Sequence, residues 1–269
     1  MTGWASARRG AVYDLAAIHV LWRRDLLRFF RQPSRLVGAL GQPLIFWLVI
    51  GSGMAATFRM PGSPVGYLQY FYPGVVLMVV LFAAIFTTLS VIEDRHAGFL
   101  QAVLAGPASR GAVAAGKVLG SASVALSQAA LFLLLAPVAG FPALSIDWPL
   151  LFAALALAAV GLAALGFAVA WLVDNVQGYH AIQMTLLVPL WIVSGAMFPA
   201  SPEHPAFGLL MRADPVAYAV SAVRRALGGP AAPGTLPGTA LRDLAVLAAF
   251  AAAALLLAVA AAHRRGGDK

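Results

Sequence analysis

FYPGVVLMVVLFAAIFTTLSVI, Phe71–Ile92, runs directly into EDRHAGFLQAVLAGPASRGAVAAGK, Glu93–Lys117. The first stretch has no Asp, Glu, Lys, Arg or His, and its length meets the roughly 20 apolar residues that a helix needs to cross a hydrocarbon core. The second is an island of charge. Glu93, Asp94 and Arg95 end the apolar run, and Arg110 and Lys117 introduce the next one. Between them Phe99, Leu100, Val103 and Leu104 fall at i, i+1, i+4 and i+5, one apolar stripe on a short helix expected over Ala97–Leu104. A membrane span followed by a short docking loop sets the fold class: all-α and polytopic.

The composition agrees. Of 269 residues, 61% are hydrophobic and 10% charged, and the mean hydropathy is +0.86. A soluble domain carries roughly 25% charged residues. The net charge of +8 does not form a nucleic-acid face, because the basic residues gather at the edges of apolar blocks. Cysteine is absent, which excludes disulfides, thiolate metal sites and a cysteine nucleophile. The Arg-rich first 35 residues lack a clean apolar core and a small-residue cleavage site, so no cleavable signal peptide is expected.

Six runs are long enough to span: Leu36–Phe58, Phe71–Ile92, Val118–Ala139, Leu150–Val173, Ala181–Phe198 and Leu244–Ala262. Pro43 predicts a kink near the start of the first, and Pro189 a bend in the short fifth. Met1–Gly10 reads as a frayed basic tail. Ala11–Arg31 reads as an interfacial amphipathic helix, with Leu15, Ile18, Trp22, Leu26 and Phe29 on one face and snorkelling Arg24, Arg28 and Arg31 on another. Thirteen basic residues lie on the side of the termini and the 93–117 loop: Arg8, Arg9, Arg23, Arg24, Arg28, Arg31, Arg35, Arg95, Arg110, Lys117, Arg264, Arg265 and Lys269. Five lie opposite: Arg59, Arg212, Arg224, Arg225 and Arg242. Both termini are therefore expected in the cytoplasm. The outer segment 199–243 opens on Pro199, Pro202 and Pro205, and holds Ala206–Met211 and Val216–Leu227. Both pieces are too short to span and are expected as re-entrant or interfacial helices. Arg224 and Arg225 read as outer headgroup anchors. The whole, 1–269, reads as one membrane domain.

Catalytic chemistry finds little support. Gly111–Val118, GAVAAGKV, matches G-x-x-x-x-G-K but has Val118 where a phosphate loop needs a hydroxyl for Mg²⁺, and no strand precedes it. Lys117 is instead expected to anchor the loop at the membrane surface. His19, His96, His180, His204 and His263 are scattered without metal-ligand spacing, and no G-x-S-x-G elbow occurs. The six runs contain no ionisable residue of the kind an ion-coupled carrier needs at mid-bilayer. Their polar side chains (Gln42, Thr87, Thr88, Ser121, Ser123, Ser127, Gln128, Gln183, Thr185 and Ser194) suit helix–helix adhesion. Uphill transport by such a chain would draw its energy from a partner.

Three segments, in order, are similar to the membrane-spanning permease subunits of type-2 ABC exporters, which move drugs, lipids, polysaccharides or nodulation factors. They are RDLLRFFRQP (Arg24–Pro33) leading into the first span, IEDRHAGFLQAVLAGPASRGAVAAGK (Ile92–Lys117), and SGAMFPASPEHPAFGLLMRADPVAYAVSAVRRAL (Ser194–Leu227). The last holds Gly-x-x-Phe-Pro at Gly195 and Pro-x-x-Tyr at Pro215. The chain departs from the family in having Glu93-Asp94-Arg95 where Glu-Arg-Glu is common. The resemblance implies a homodimer or a heterodimer with a related permease in the bacterial cytoplasmic (inner) membrane. A separate cytoplasmic ATP-binding cassette subunit would bind ATP and Mg, so this chain itself would hold no cofactor, no metal and no catalytic residue. The loop after the second span is implied to be the coupling helix, with Glu93, Asp94, Arg95, Gly98, Phe99 and Leu104 touching the ATPase. Asp174, Asn175 and Gln177 in the turn Asp174–His180 would make a second contact. Gln42, Phe46, Trp47 and Thr87 are candidates for the substrate pathway between subunits. The cargo implied is amphipathic, drug-like or lipid-like, with a glycan also open. Two other classes stay open on the residues alone: a non-transporting membrane assembly or anchoring factor, and an ion-coupled secondary carrier.

Overall fold

The computed structural model describes residues 3–55, 65–199, 205–229 and 232–264, with side chains from residue 10 and excepting those of 33–36 and 205. The side chains of Arg8, Arg9, Arg35, Arg59, Pro202, Pro205, His204, Arg265 and Lys269, and the expected end of the first span, therefore lie outside the described residues. Eleven α-helices follow in order among the described residues: α1 Gly3–Phe30, α2 Pro33–Ala55, α3 Tyr67–Thr87, α4 Ser90–His96, α5 Phe99–Leu104, α6 Arg110–Leu133, α7 Trp148–Leu172, α8 Val176–Val193, α9 Pro205–Ala213, α10 Pro215–Gly228 and α11 Ala240–Arg264.

Six helical stretches are long and apolar enough to cross a membrane: Val37–Ala55, Tyr67–His96, Arg110–Leu133, Trp148–Leu172, Val176–Val193 and Ala240–Arg264. Each coincides with one expected run. The polytopic all-α class holds, and α9 and α10 form the expected short pair, bent by 88° at Asp214. The helices nevertheless reach further than the apolar runs. They include Asp94, Lys117 and Asp243, which lie one or two positions outside the expected apolar runs and are all buried. The reason is pairing: each is ion-paired to another segment.

A helix that is apolar all round belongs in the centre. α3 is that helix, packed by α2, α6, α7 and α10. α7 and α11 are rich in alanine and lie against each other, so closely that a Cβ on Gly161 would come 2.6 Å from the Phe250 ring. Small residues allow such approach where lipid offers no hydrophobic drive. Much of the apolar surface of α2, α8 and α11 stays exposed, including Ile45, Val49, Ile182, Leu186, Leu256 and Leu257, as faces turned to lipid or to a second subunit would be. Caps fix the helix starts. Ser109 accepts from Ala112 N at 3.1 Å, Asp147 from Leu150 N at 3.0 Å, and Asn175 from Gly178 N. Each satisfies an amide that a helix N-terminus leaves unpaired.

The N-terminal helix differs most from expectation. It begins at Gly3, within the segment expected to be frayed, and packs along α6. Its inward stripe is Leu21, Asp25 and Phe29, while Leu15 is 67% exposed. The apolar face read from the sequence was thus rotated. Asp25, a carboxylate, occupies the middle of the true contact.

Candidate functional site

α1 can reach α6 because α6 presents Gly116 and Gly120, one turn apart. A Cβ on Gly116 would lie 3.0 Å from Leu21, and one on Gly120 would lie 3.1 Å from the Asp25 Cβ. Asp14 fastens the N-terminal end of this contact by accepting from Ser109 N at 2.6 Å and Ser109 Oγ at 2.9 Å. Further along, Trp22 Nε1 donates to Ser123 Oγ at 2.9 Å.

Between these fastenings Lys117 is 1% exposed. Its Nζ donates to Asp94 Oδ2 at 2.5 Å, Asp25 Oδ1 at 3.1 Å and Ser90 Oγ at 3.3 Å. Three donors meet three acceptors, which uses the whole capacity of an ammonium. Arg24 grips Asp94 with both terminal nitrogens, at 2.6 and 2.7 Å. Arg28 donates to Glu93 at 2.8 Å. Three acids and three bases from α1, α4 and α6 thereby form one charge-balanced cluster. A buried lysine is tolerable only with this degree of pairing. Burial pushes the Asp25 carboxyl up from the ordinary carboxylate range, against the pull of the Lys117 charge. Lys117 is thus a structural centre rather than the surface anchor expected of it. Arg110 also reaches inward, donating to the Ala262 carbonyl at 3.2 Å.

α4 and α5 are separated at Gly98, whose φ of 75° lies in the left-handed region that glycine adopts readily. Arg95 donates to Asp174 at 2.8 Å and to the Trp171 carbonyl at 2.9 Å. His96 Nε2 lies 2.8 Å from the Asp174 carbonyl. The two loops expected to make separate partner contacts, 93–104 and 174–180, are therefore bonded to each other. Asn175 spends its side chain on the helix cap, and Gln177 is exposed. On α5 the apolar stripe turns inward. Leu100 is buried, Phe99 lies under the Arg24 guanidinium at 3.9 Å, and Val103 and Leu104 rest on the core. Gln101, Ala102 and Ala105 form the exposed face.

At the other end of the bundle Arg224 donates to the carbonyls of Gly234, Gly195 and Ala196 at 2.7, 2.9 and 3.3 Å. It also lies 4.1 Å from the Tyr70 ring centroid. Arg225 donates to Asp243 at 3.1 Å and the Leu236 carbonyl at 2.6 Å. Both arginines are buried, not surface anchors. A cavity of about 350 Å³ opens beside the ion cluster, between α1, α2 and α3.

The ABC-2 type transporter family profile matches residues 16–227, from inside α1 to the end of α10. The chain belongs to the ABC-2 type transporter family. Nodulation protein J of Neorhizobium galegae is 27% identical over 244 residues, covering 88% of this chain and 91% of that protein. The daunorubicin resistance ABC transporter permease protein DrrB1 of Streptomyces coeruleorubidus is 25% identical over 223 residues, 80% and 76% of the two chains. The putative transport permease ycf38 of Cyanophora paradoxa is 31% identical, over only 35% of this chain and 33% of its own length.

Within this ABC-2 chain the four pathway candidates separate. Gln42 and Thr87 line the cavity beside the ion cluster. Phe46 is half-buried, 5.7 Å from the Trp191 ring and 6.2 Å from that of Phe71. Trp47 faces its own core: it is 2% exposed, and its Nε1 donates to the Leu68 carbonyl at 2.8 Å. Sequence reasoning passed over Asp25, Ser90 and the central place of Lys117. A signal was available in Gly116-Lys117-Val118-Leu119-Gly120, a small-xxx-small pattern that marks close helix packing.

Proposed function

We propose that this chain is the transmembrane subunit of an ATP-driven exporter, working with a second copy of itself or a related permease. ATP and Mg are bound by a separate cytoplasmic ATPase subunit, and this chain holds no cofactor of its own. The end carrying the ion cluster faces the cytoplasm, with both termini, in a bacterial inner membrane. The cargo is amphipathic and drug-like or lipid-like, a reading supported by the named relatives and by spans without a free charge at their centres.

One observation carries the proposal. α5 is a short helix that cannot move alone, because its Phe99 lies under Arg24 and α4 beside it is bound to α1, α6 and the α7–α8 turn. A push on α5 from a closing ATPase would be shared by all four elements as a rigid block. Glu93, Asp94, Arg95, Gly98, Phe99 and Leu104 build that block from within. The exposed Gln101, Ala102 and Ala105, with Asn175 and Gln177 nearby in the chain's second loop, meet the ATPase.

Gln101→Arg combined with Ala102→Arg tests this. The pair is expected to abolish co-purification with the ATPase subunit and its stimulated ATP hydrolysis, while membrane yield and Tm stay at the parent values. Undiminished coupling in that variant would sink the docking assignment. Phe99→Asp with Leu104→Asp is expected to lower Tm as well, since both side chains rest on the core.

A further inference from the structure

The second span, Tyr67–His96, is interrupted near its cytoplasmic end: α3 stops at Thr87 and α4 starts at Ser90. Across the break the amides reach back three residues. Thr88 N donates to Ile85 O at 3.1 Å, Leu89 N to Phe86 O at 3.2 Å, Val91 N to Thr88 O at 3.0 Å and Ile92 N to Leu89 O at 3.0 Å. Neither Gly nor Pro stands between Ala83 and Ile92, so side chains that reach into the helical ladder are what break it. Thr87 Oγ1 donates to Ala83 O at 2.7 Å and Thr88 Oγ1 to Ile85 O at 2.6 Å, the back-bonding that bends helices. A tightened turn inside a long helix often marks a hinge.

A regular helix would give the Ile85 carbonyl to Leu89 N. At membrane depth a carbonyl released in this way is satisfied from a neighbouring helix. Tyr179, in the first turn of α8 and fully buried, supplies that partner. Its hydroxyl is placed to donate to Ile85 O at 3.1 Å or Gly166 O at 3.3 Å, and it lies 2.5 Å from Thr88 Oγ1. α7 comes this close because it presents Gly166, where a Cβ would lie 2.7 Å from Thr88 Oγ1 and 3.3 Å from the Tyr179 hydroxyl. The two hydroxyls bring one proton each. In one arrangement Thr88 donates to Ile85 O and Tyr179 to Thr88. In the other Tyr179 donates to Gly166 O and Thr88 to Tyr179, while Ile85 O keeps Thr88 N. Rotating two hydroxyls exchanges them, so the break flexes with its polar groups still paired. It also joins two bodies that are held differently. α3 is buried along most of its length, whereas α4 is tied to Arg24, Lys117 and Asp174.

We propose that residues 87–90 are the flexure at which α4 and α5 turn against α3, and that Tyr179 is its positioning residue. That ATP drives the turning rests on the exporter reading above; the flexure itself does not.

Tyr72 provides the control. It is also fully buried, and its hydroxyl donates to Phe132 O at 2.9 Å, far along α3 from the break. Tyr72→Phe therefore loses a comparable bond elsewhere. Hydrogen exchange read by mass spectrometry, on the full chain in nanodiscs, is expected to be at least tenfold faster over 88–92 in Tyr179→Phe. Tyr72→Phe should leave that segment at the parental rate, with Tm lowered to a similar extent in both variants. Thr88→Val should reproduce the Tyr179→Phe effect, and Thr88→Ser, which restores the hydroxyl, should not. Equal exchange over 88–92 in the two tyrosine variants overturns the proposal. If Tyr179→Phe fails to fold, Thr88→Val against Thr88→Ser decides by the same measurement. A second arm adds the ATPase subunit, with Mg, ATP and vanadate to trap its closed state. Trapping is expected to change exchange over 88–92 at least threefold in the parent and in Tyr72→Phe, and to leave Tyr179→Phe unchanged although ATP is still hydrolysed. No response to trapping in the parent counts against the exporter reading alone.

Discussion

The two ends of the bundle bury charge in different ways. At one end side chain meets side chain: Lys117 and Arg24 on Asp94, Lys117 on Asp25, Arg28 on Glu93. At the other, side chain mostly meets backbone: Arg224 on three carbonyls, Arg225 on Leu236 O as well as Asp243. Pairs between side chains join helices that are distant in sequence and leave each helix intact if they exchange partners. Arginine on loop carbonyls instead fixes the path of the loop itself, here 195–199 and 232–236. The first arrangement suits a block that transmits movement. The second suits a cap that holds its shape.

The largest effect is expected at the side-chain end. Lys117→Met leaves Asp25 and Asp94 buried with their shared cation gone, a loss of about 3–5 kcal/mol, measured by thermal unfolding of the purified chain. Lys117→Met with Asp25→Leu should recover a large part of that, because the stranded charge is removed too. No recovery would break the claim that the cluster acts as one unit. Arg225→Met comes next. It strands Asp243, but Ser221 Oγ still donates to that carboxylate at 2.8 Å, so about 2–3 kcal/mol is expected. Arg224→Met removes bonds from three carbonyls and no carboxylate, for about 1–3 kcal/mol. Its signature should be local: faster amide exchange around 195–199 and 232–236, with the α1–α6 contact unchanged. An Arg224 variant less stable than the Lys117 variant would reverse the comparison.

Much of the fold was legible because lipid imposes it. Apolar runs of spanning length mark helices whatever their neighbours do, and all six runs coincide with helices. The charged loop between the second and third spans was legible for a related reason: charge between two spans has few places to go. What could not be read was direction. The stripe Phe99, Leu100, Val103 and Leu104 is apolar at helical spacing whether it faces a partner or its own chain, and α4 and α6 decide that it faces inward. Likewise Arg24 and Arg28 look like snorkelling residues until Glu93 and Asp94, about 70 positions away, are brought beside them. Arginine at a membrane edge signals an anchor by composition alone, so Arg224 and Arg225 were read the wrong way for the same reason. Gly116 and Gly120 were the one local clue that α1 packs on α6, and Asp25 follows from their spacing only once α1 is docked.

The smallest effect on stability should fall on the link between the two loops, and it is the most informative about function. The Asp174 side chain is 67% exposed, so its pair with Arg95 is screened and contributes about 0–1 kcal/mol. Asp174→Asn also leaves the Arg95 bond to the Trp171 carbonyl and the His96 contact with the Asp174 backbone in place. Tm should hardly move. If α4, α5 and the α7–α8 turn transmit force as one block, loosening this pair should lower ATPase-coupled transport severalfold while ATP hydrolysis continues, and raised salt should reproduce the loss in the parent protein by screening the same pair. Transport that keeps pace with hydrolysis in both cases would mean that the turn is only a neighbour of α5. The block would then consist of α1, α4 and α6 alone, held by Lys117.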